Sequence, residues 1–222
     1  MIVIDVGNTN IVIGIYFKKK LSKVLRFNTE KNKKKFKLVF EIFLQSNEKI
    51  LFNSKNKICI LSSVVPSLNI YIEKSFIKRN FQFYLVNPKK IPIIAKINYK
   101  LNQIGSDRVA NFVAIYTKKI SNCIIIDFGT ATTFDVIKNN QYYGGLIFPG
   151  ITLSMNSLIS GTELLKKSKI SKMKKIVARD TISSIKSGFY FGYLHAINGI
   201  LKQIISENNF KPKIYITGGY GE

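Results

Sequence analysis

The sequence predicts an α/β protein in which a β-β-β-α-β-α unit occurs twice, the second copy shortened at its C-terminal end. Three observations predict it. Each half opens with three apolar, strand-like runs and then a helical pattern. An acidic turn recurs at the end of the first strand of each half: Asp5-Val6-Gly7-Asn8-Thr9-Asn10 and Asp127-Phe128-Gly129-Thr130-Ala131-Thr132, both D-x-G-[NT]-x-[NT]. At 222 residues with 46% hydrophobic side chains, the chain can bury a substantial core.

In the first half, strands are expected at 2–6, 11–17 and 24–28. A lysine-rich helix follows over 31–45, with Phe36, Val39, Phe40 and Phe43 on its apolar face. A strand at 57–61 runs into Ser62-Ser63, Pro66 starts a helix over 67–78, and 82–86 reads as another strand. In the second half, strands are expected at 122–127, 132–137 and 142–148. A helix at 152–160, a basic loop from 166 to 175, a long helix at 181–207 and a strand at 213–217 complete it. Gly188, Gly192 and Gly199 on the long helix suggest close packing against a partner element. The domain boundary falls at 117/118, giving domains 1–117 and 118–222.

Formal net charge is +23, with lysine blocks at Lys18-Lys19-Lys20, Lys33-Lys34-Lys35 and Lys166-Lys167. Only four of the 35 basic residues are arginine (Arg26, Arg79, Arg108, Arg179), whereas phosphate and base recognition favours the arginine fork. The excess lysine is spread along the chain with abundant Asn and Ile, a pattern that A/T-rich codons produce without any partner. Neither nucleic acid nor a membrane is expected to bind. No apolar run reaches the roughly 18–20 residues that span a bilayer, and residues 1–10 do not read as a signal peptide, so a cytoplasmic protein is expected. Cys59 and Cys123 sit in apolar runs and read as buried thiols, and His195 as an ordinary helix residue.

The chemistry concentrates in three places. Gly7 and Gly129 let each turn approach an anion closely, with backbone N–H groups forming a concave nest for phosphate oxygens. The neighbouring Asn8, Thr9, Thr130, Thr132 and Thr133 add neutral donors. Asp5 and Asp127 would repel a bare phosphate, which makes sense if they hold a cation that bridges to it. No lysine-containing phosphate loop or dinucleotide turn is present, so a nucleotide would be held by two facing hairpins, with Thr217-Gly218-Gly219 close to the nucleoside. The third place is Gly105-Ser106-Asp107-Arg108, at the start of a helix. Backbone N–H groups there favour a carboxylate, and Asp107 could accept the proton of an attacking hydroxyl. Arg108 offers a fork for a carboxylate or phosphoryl group, though a helix cap with a surface arginine would read the same way.

These segments, with Ser62-Ser63-Val64-Val65-Pro66 and 144–150 (GGLIFPG), resemble type III pantothenate kinases in family order over essentially the whole chain. The resemblance implies two ribonuclease H-like (actin-like ATPase) domains and transfer of the ATP γ-phosphate to pantothenate, the first step of coenzyme A synthesis. It implies that Asp5, Val6, Gly7, Asn8, Thr9, Asn10, Ile11 and Val12 bind ATP, together with Thr130. Asp107 would be the proton acceptor, and Tyr99, Gly105, Ser106, Asp107, Arg108 and Thr181 would contact pantothenate. Asp127 would hold a monovalent cation, potassium or ammonium. ATP with Mg²⁺ and a homodimer are also implied. The family's tyrosine followed by Asn-Pro is here Tyr99-Lys100-Leu101-Asn102-Gln103-Ile104, one residue shorter and without the proline. The alternative within the same fold is a non-catalytic nucleotide-binding regulatory protein; intact Asp5, Asp107 and Asp127 argue against it.

Overall fold

The computed structural model describes residues 1–52, 57–162 and 170–219; the Lys166-Lys167 block and the first part of the expected basic loop lie outside them. The chain divides into two compact units, Met1–Lys118 and Lys119–Glu222.

In the first unit, β1 (Ile2–Val6), β2 (Asn10–Phe17) and β3 (Lys20–Asn28) form an antiparallel meander. After α1 (Lys33–Ser46) and the short α2 (Glu48–Leu51), β4 (Ile58–Ser63) pairs parallel with β1. α3 (Pro66–Ile77) leads to β5 (Gln82–Leu85), parallel to β4, and α4 (Ser106–Thr117) closes the unit. The sheet order is β3-β2-β1-β4-β5. Alternate residues of β1 and β2 (Ile2, Ile4, Val6, Ile11, Ile13) are fully buried against Phe36, Phe40, Leu44, Leu68, Ile72 and Phe76 of α1 and α3.

Three details differ from the sequence reading. β3 begins at Lys20, because Lys18 and Lys19 (φ 44° and 66°) form a two-residue turn that joins Phe17 directly to Lys20. The buried stripe of α1 is Phe36, Phe40 and Leu44, with Phe43 half-buried and Val39 outside it at 36% exposure. Stacking fixes that phase: the Phe36 and Phe40 rings lie 5.2 Å apart, and Phe43 meets Phe27 at 4.3 Å. The helix also starts two residues later than expected, where the Asn32 side chain caps it by accepting from the Lys35 N–H.

In the second unit, β6 (Cys123–Phe128), β7 (Ala131–Lys138) and β8 (Gln141–Pro149) form the corresponding meander. After α5 (Ile151–Ser160) and the long α6 (Thr181–Asn208), β9 (Lys213–Gly218) pairs parallel with β6, giving the order β8-β7-β6-β9. Ile197, Ile200, Leu201, Ile204 and Ile205 of α6 pack on Ile124, Ile126, Phe134 and Val136. Among the described residues nothing lies within 4 Å of where a Cβ would stand on Gly188, Gly192 or Gly199. The close-packing partner expected for these glycines is therefore not part of the described chain.

Cys59 and Cys123 are buried and unpaired, and burial pushes their thiols up to about 12 and about 11. No helix among the described residues is long and apolar enough to cross a membrane.

Candidate functional site

In the first unit the acidic turn sits between β1 and β2, at the C-terminal end of β1. Val6 pairs with Ile11, and Gly7, Asn8, Thr9 and Asn10 form the turn, closed by Gly7 N–H donating to Asn10 O at 3.0 Å. Thr29 braces it from the end of β3: its hydroxyl donates to Gly7 O at 2.7 Å and its N–H to Thr9 O at 2.9 Å. Asp5, Asn8 and Thr9 are exposed, whereas Val6 and Ile11 are buried in the core. Any contact from Val6 and Ile11 to a nucleotide thus runs through their backbone, with the side chains anchoring the turn.

The Gly105-Ser106-Asp107-Arg108 segment is tied to the same end of this sheet. Ser106 is buried; its hydroxyl donates to Ser63 O at 3.0 Å and accepts from Ser63 N–H at 2.9 Å and from the Ser62 hydroxyl at 3.2 Å. The next residue, Val64, donates to Val6 O at 3.0 Å. A continuous bonded path therefore joins the first turn, the end of β4 and the N-terminus of α4. It explains the Ser-Ser sequence closing β4, and it makes Ser106 a clamp as well as an expected ligand.

Asp107 is half-buried in the first turn of α4, and its Oδ1 accepts from Arg108 N–H at 2.8 Å. That oxygen fills the space where a side chain on Gly105 would begin, so glycine at 105 lets the carboxylate fold back over the helix start. Arg108 is 4% exposed, correcting the reading of a surface arginine, and its guanidinium lies 5.7 Å from the centroid of the Tyr99 ring. The structure thus brings Tyr99, Arg108 and Asp107 together despite the missing proline.

In the second unit Phe128 pairs with Thr132, leaving Gly129, Thr130 and Ala131 as the turn, closed by Gly129 N–H donating to Ala131 O at 3.1 Å. This turn is one residue tighter than the first, so Thr132 occupies the strand position of Ile11, not the turn position of Asn10 that the motif alignment suggests. Asp127 is half-buried at the end of β6, opposite Thr217 of β9. Gly218 has φ +92°, and a Cβ there would stand 2.6 Å from Asp127 Oδ1 and 2.5 Å from Phe128 O. The space that glycine leaves is lined by oxygen.

Oxygen donors suit a hard cation. Among the described residues no group of three or more His, Cys, Asp or Glu gathers as a metal cage. A cation at Asp127 would be held by one carboxylate, main-chain carbonyls and phosphate oxygens, a set that fits Mg²⁺ or potassium and not zinc.

Thr181 is exposed at the start of α6, whose true cap is Asp180; the Asp180 carboxylate accepts from Ser183 N–H at 2.8 Å and is held below its usual range by that bond. With Leu158, Ile185 and Phe189, Thr181 lines a cleft of about 350 Å³ between α5 and α6. A larger groove of about 500 Å³, lined by Ile176, Val177, Gly192 and His195, contains no turn residue. His195 is exposed on α6, as the ordinary reading expects.

Tyr193 is the residue that motif reasoning missed. Its hydroxyl donates to Pro149 O at 2.6 Å and lies 2.6 Å from the Thr132 hydroxyl, next to the second turn. Only its spacing on α6 hints at this, since helix phase alone does not show which strand end a side chain reaches.

The type III pantothenate kinase family model matches residues 1–203. A type III pantothenate kinase from Geotalea daltonii is 39% identical over 99% of this chain and 86% of its own length. One from Sulfurihydrogenibium sp. is 40% identical over 100% and 89%. Among solved structures, a Campylobacter jejuni protein described as a Baf family transcriptional activator superposes with a TM-score of 0.55 at 23% identity, covering 99% of this chain and 83% of that one. The ethanolamine utilization protein EutJ from Carboxydothermus hydrogenoformans does so at 0.55 and 12%, covering 98% and 75%. At these identities the two structures speak for the fold alone, the duplicated ribonuclease H-like architecture.

Proposed function

The chain belongs to the type III pantothenate kinase family, and from that membership we propose how its own residues carry out the reaction. The protein is an ATP-dependent pantothenate kinase: with Mg²⁺ it transfers the γ-phosphate of ATP to pantothenate, the first step of coenzyme A synthesis.

Asp107 accepts the proton of the primary hydroxyl as that oxygen bonds to the γ-phosphorus and the bond to ADP breaks. General-base help of this kind contributes about 10²–10⁴-fold, and most of the rest comes from positioning and charge neutralisation. The first turn, residues 5–12, offers backbone N–H groups to the phosphates through Asn8 and Thr9 at its tip, with Gly7 and Asn10 closing the turn beneath them, and Thr130 supplies a further hydroxyl. Arg108, stacked by Tyr99, presents a fork to the pantothenate carboxylate, with Gly105, Ser106 and Thr181 completing the substrate contacts. Asp127 and the neighbouring carbonyls hold a monovalent cation, potassium or ammonium, which supplies positive charge against the phosphates.

We further read the protein as a cytoplasmic homodimer that binds neither nucleic acid nor membrane. The open face of α6 around Gly188 and Gly192, with Ile182 and Leu194 exposed at 46% and 44%, supports the dimer.

The observation carrying this reading is the bonded path from Ser106 through Ser63 and Val64 to Val6. Within one unit it ties Ser106, the residue before Asp107, to the strand end that carries the first turn, which supports the reading. A coupled ADP-release assay tests it. Pantothenate-dependent, potassium-stimulated turnover is expected; ADP release indifferent to pantothenate in the folded protein would overturn it.

A further inference from the structure

We propose that Tyr193 is a positioning residue for the second phosphate turn, setting the place of Gly129, Thr130 and Ala131 through Thr132 on one strand and Pro149-Gly150 on the other. The inference rests on the kinase reading above, because it assigns that turn to ATP.

The phenol has one proton, which goes to Pro149 O, so in its 2.6 Å contact with Thr132 it is the acceptor and the Thr132 hydroxyl donates. Burial pushes the phenol above its ordinary value, which keeps that proton in place. Thr132 is 1% exposed, and without Tyr193 its hydroxyl would lose the acceptor that buried polar groups need. The strand it occupies begins at Ala131, the last residue of the turn.

On the other side, the peptide whose carbonyl Tyr193 holds continues into Gly150. Gly150 N–H donates to Thr130 O at 3.1 Å, and the approach is so close that a Cβ on Gly150 would collide with that oxygen. One hydroxyl therefore grips both flanks of the turn. Its own position is fixed: the ring packs 5.5 Å from Phe148, and α6 is docked on β6 and β7 through Ile197, Ile200, Leu201 and Ile204. In the first unit the brace is Thr29, at the end of the sheet's own third strand. In the second unit, a side chain from the long helix does that work.

Tyr193→Phe keeps the ring and removes the hydroxyl, and Thr132→Val removes the other partner at nearly constant shape. Amide hydrogen exchange is read together with the Kd of a non-hydrolysable ATP analogue and both KM values. In either variant, exchange at 128–133 is expected to rise while the interior of β6 and the first turn stay protected. The Kd and the KM for ATP should rise about tenfold, the size of one buried hydrogen bond, with the KM for pantothenate within about twofold. The double variant should resemble each single one, since both remove the same link. Unchanged exchange at 128–133, or a general rise across the second unit with both KM values shifting in parallel, would overturn the proposal. If the native protein turned over no pantothenate, the kinase reading would fall, while the exchange comparison would still decide the role of Tyr193.

Discussion

In the first unit, β2 and β3 are joined by Lys18-Lys19 at positive φ, and their register shifts between Ile15 and Tyr16. In the second, β7 and β8 are joined by Asn139-Asn140 at φ 51° and 65°, with the shift between Val136 and Ile137. The same left-handed turn and the same irregularity, two residues before the strand end, recur in both halves although the turn residues differ completely. The parallel pairs repeat as well: Asp5 lies opposite Ser62 and Asp127 opposite Thr217. What differs is the residue after each. Ser63 has its backbone clamped by Ser106, whereas its counterpart Gly218 turns away at φ +92° beside Asp127. The frame is the same in both halves, and the same strand end is finished differently: a serine clamped to the start of α4 in the first, a glycine beside an oxygen-lined space in the second.

The sharpest test of that division is a pair of substitutions. Asp107→Asn is expected to lower kcat by about 10²–10⁴-fold while the Kd for an ATP analogue stays within a few-fold. Asp127→Asn should instead abolish potassium stimulation and weaken nucleotide binding. Equal loss of turnover and ATP affinity in Asp107→Asn would indicate a structural role for that carboxylate.

Next in size is Gly218→Ala. Strain at positive φ adds to the collision with Asp127 and Phe128, for a loss of about 3 kcal/mol and about 6–12 °C in Tm. Ser63→Ala, at the equivalent position with ordinary backbone, should shift Tm by only a few degrees in a thermal melt.

A smaller effect of opposite sign is expected at the hairpin. Non-glycine residues in the left-handed region cost about 1–2 kcal/mol each, and asparagine less. Replacing Lys18-Lys19 by Asn-Asn should therefore raise stability by about 1 kcal/mol in urea unfolding. The reverse change at Asn139-Asn140 should lower it by a similar amount.

The smallest effect concerns the helix layer of the first unit. Glu41 accepts from Arg79 at 2.7 Å and also from the Ser75 hydroxyl, linking α1 to α3. The Arg79 guanidinium is the main cause holding the Glu41 carboxyl below its ordinary value of 4.5. Since the folded state holds that proton less tightly, this stabilisation is present above pH 4.5 and is lost as pH falls through the lowered folded-state value. The pair is partly exposed, so about 0.5 kcal/mol is at stake. Glu41→Gln should flatten the acid limb of a Tm-against-pH profile by that amount and leave neutral pH activity unchanged.

Much of this frame was legible in the chain itself. Apolar strand-like runs located the strands of the described residues, and the paired acidic motifs located the hairpin turn that opens each half, because glycine and a strand-end acid leave a local signature. Properties set by long-range contacts were not legible. Lys18-Lys19 carries no turn signal, since tertiary pairing of β2 and β3 overrides an unfavourable φ. Val39 and Leu44 exchange roles on α1 because aromatic stacking with Phe27 sets the helix phase. For Arg108 the sequence leaves a ligand fork and a surface arginine both open until its burial and the Tyr99 ring beside it are seen. The one-residue offset between the two turns is invisible to motif alignment, because it depends on which residue pairs first across the hairpin.

The two thiols carry a practical consequence. Cys59 and Cys123 are buried in β4 and β6 and held protonated far above neutral pH, so neither presents a thiolate to an electrophile. The native polypeptide is in effect already cysteine-silent: a single thiol introduced on an exposed site beside either acidic turn could carry a maleimide dye or spin label without background, and report on the surroundings of that turn when nucleotide is added.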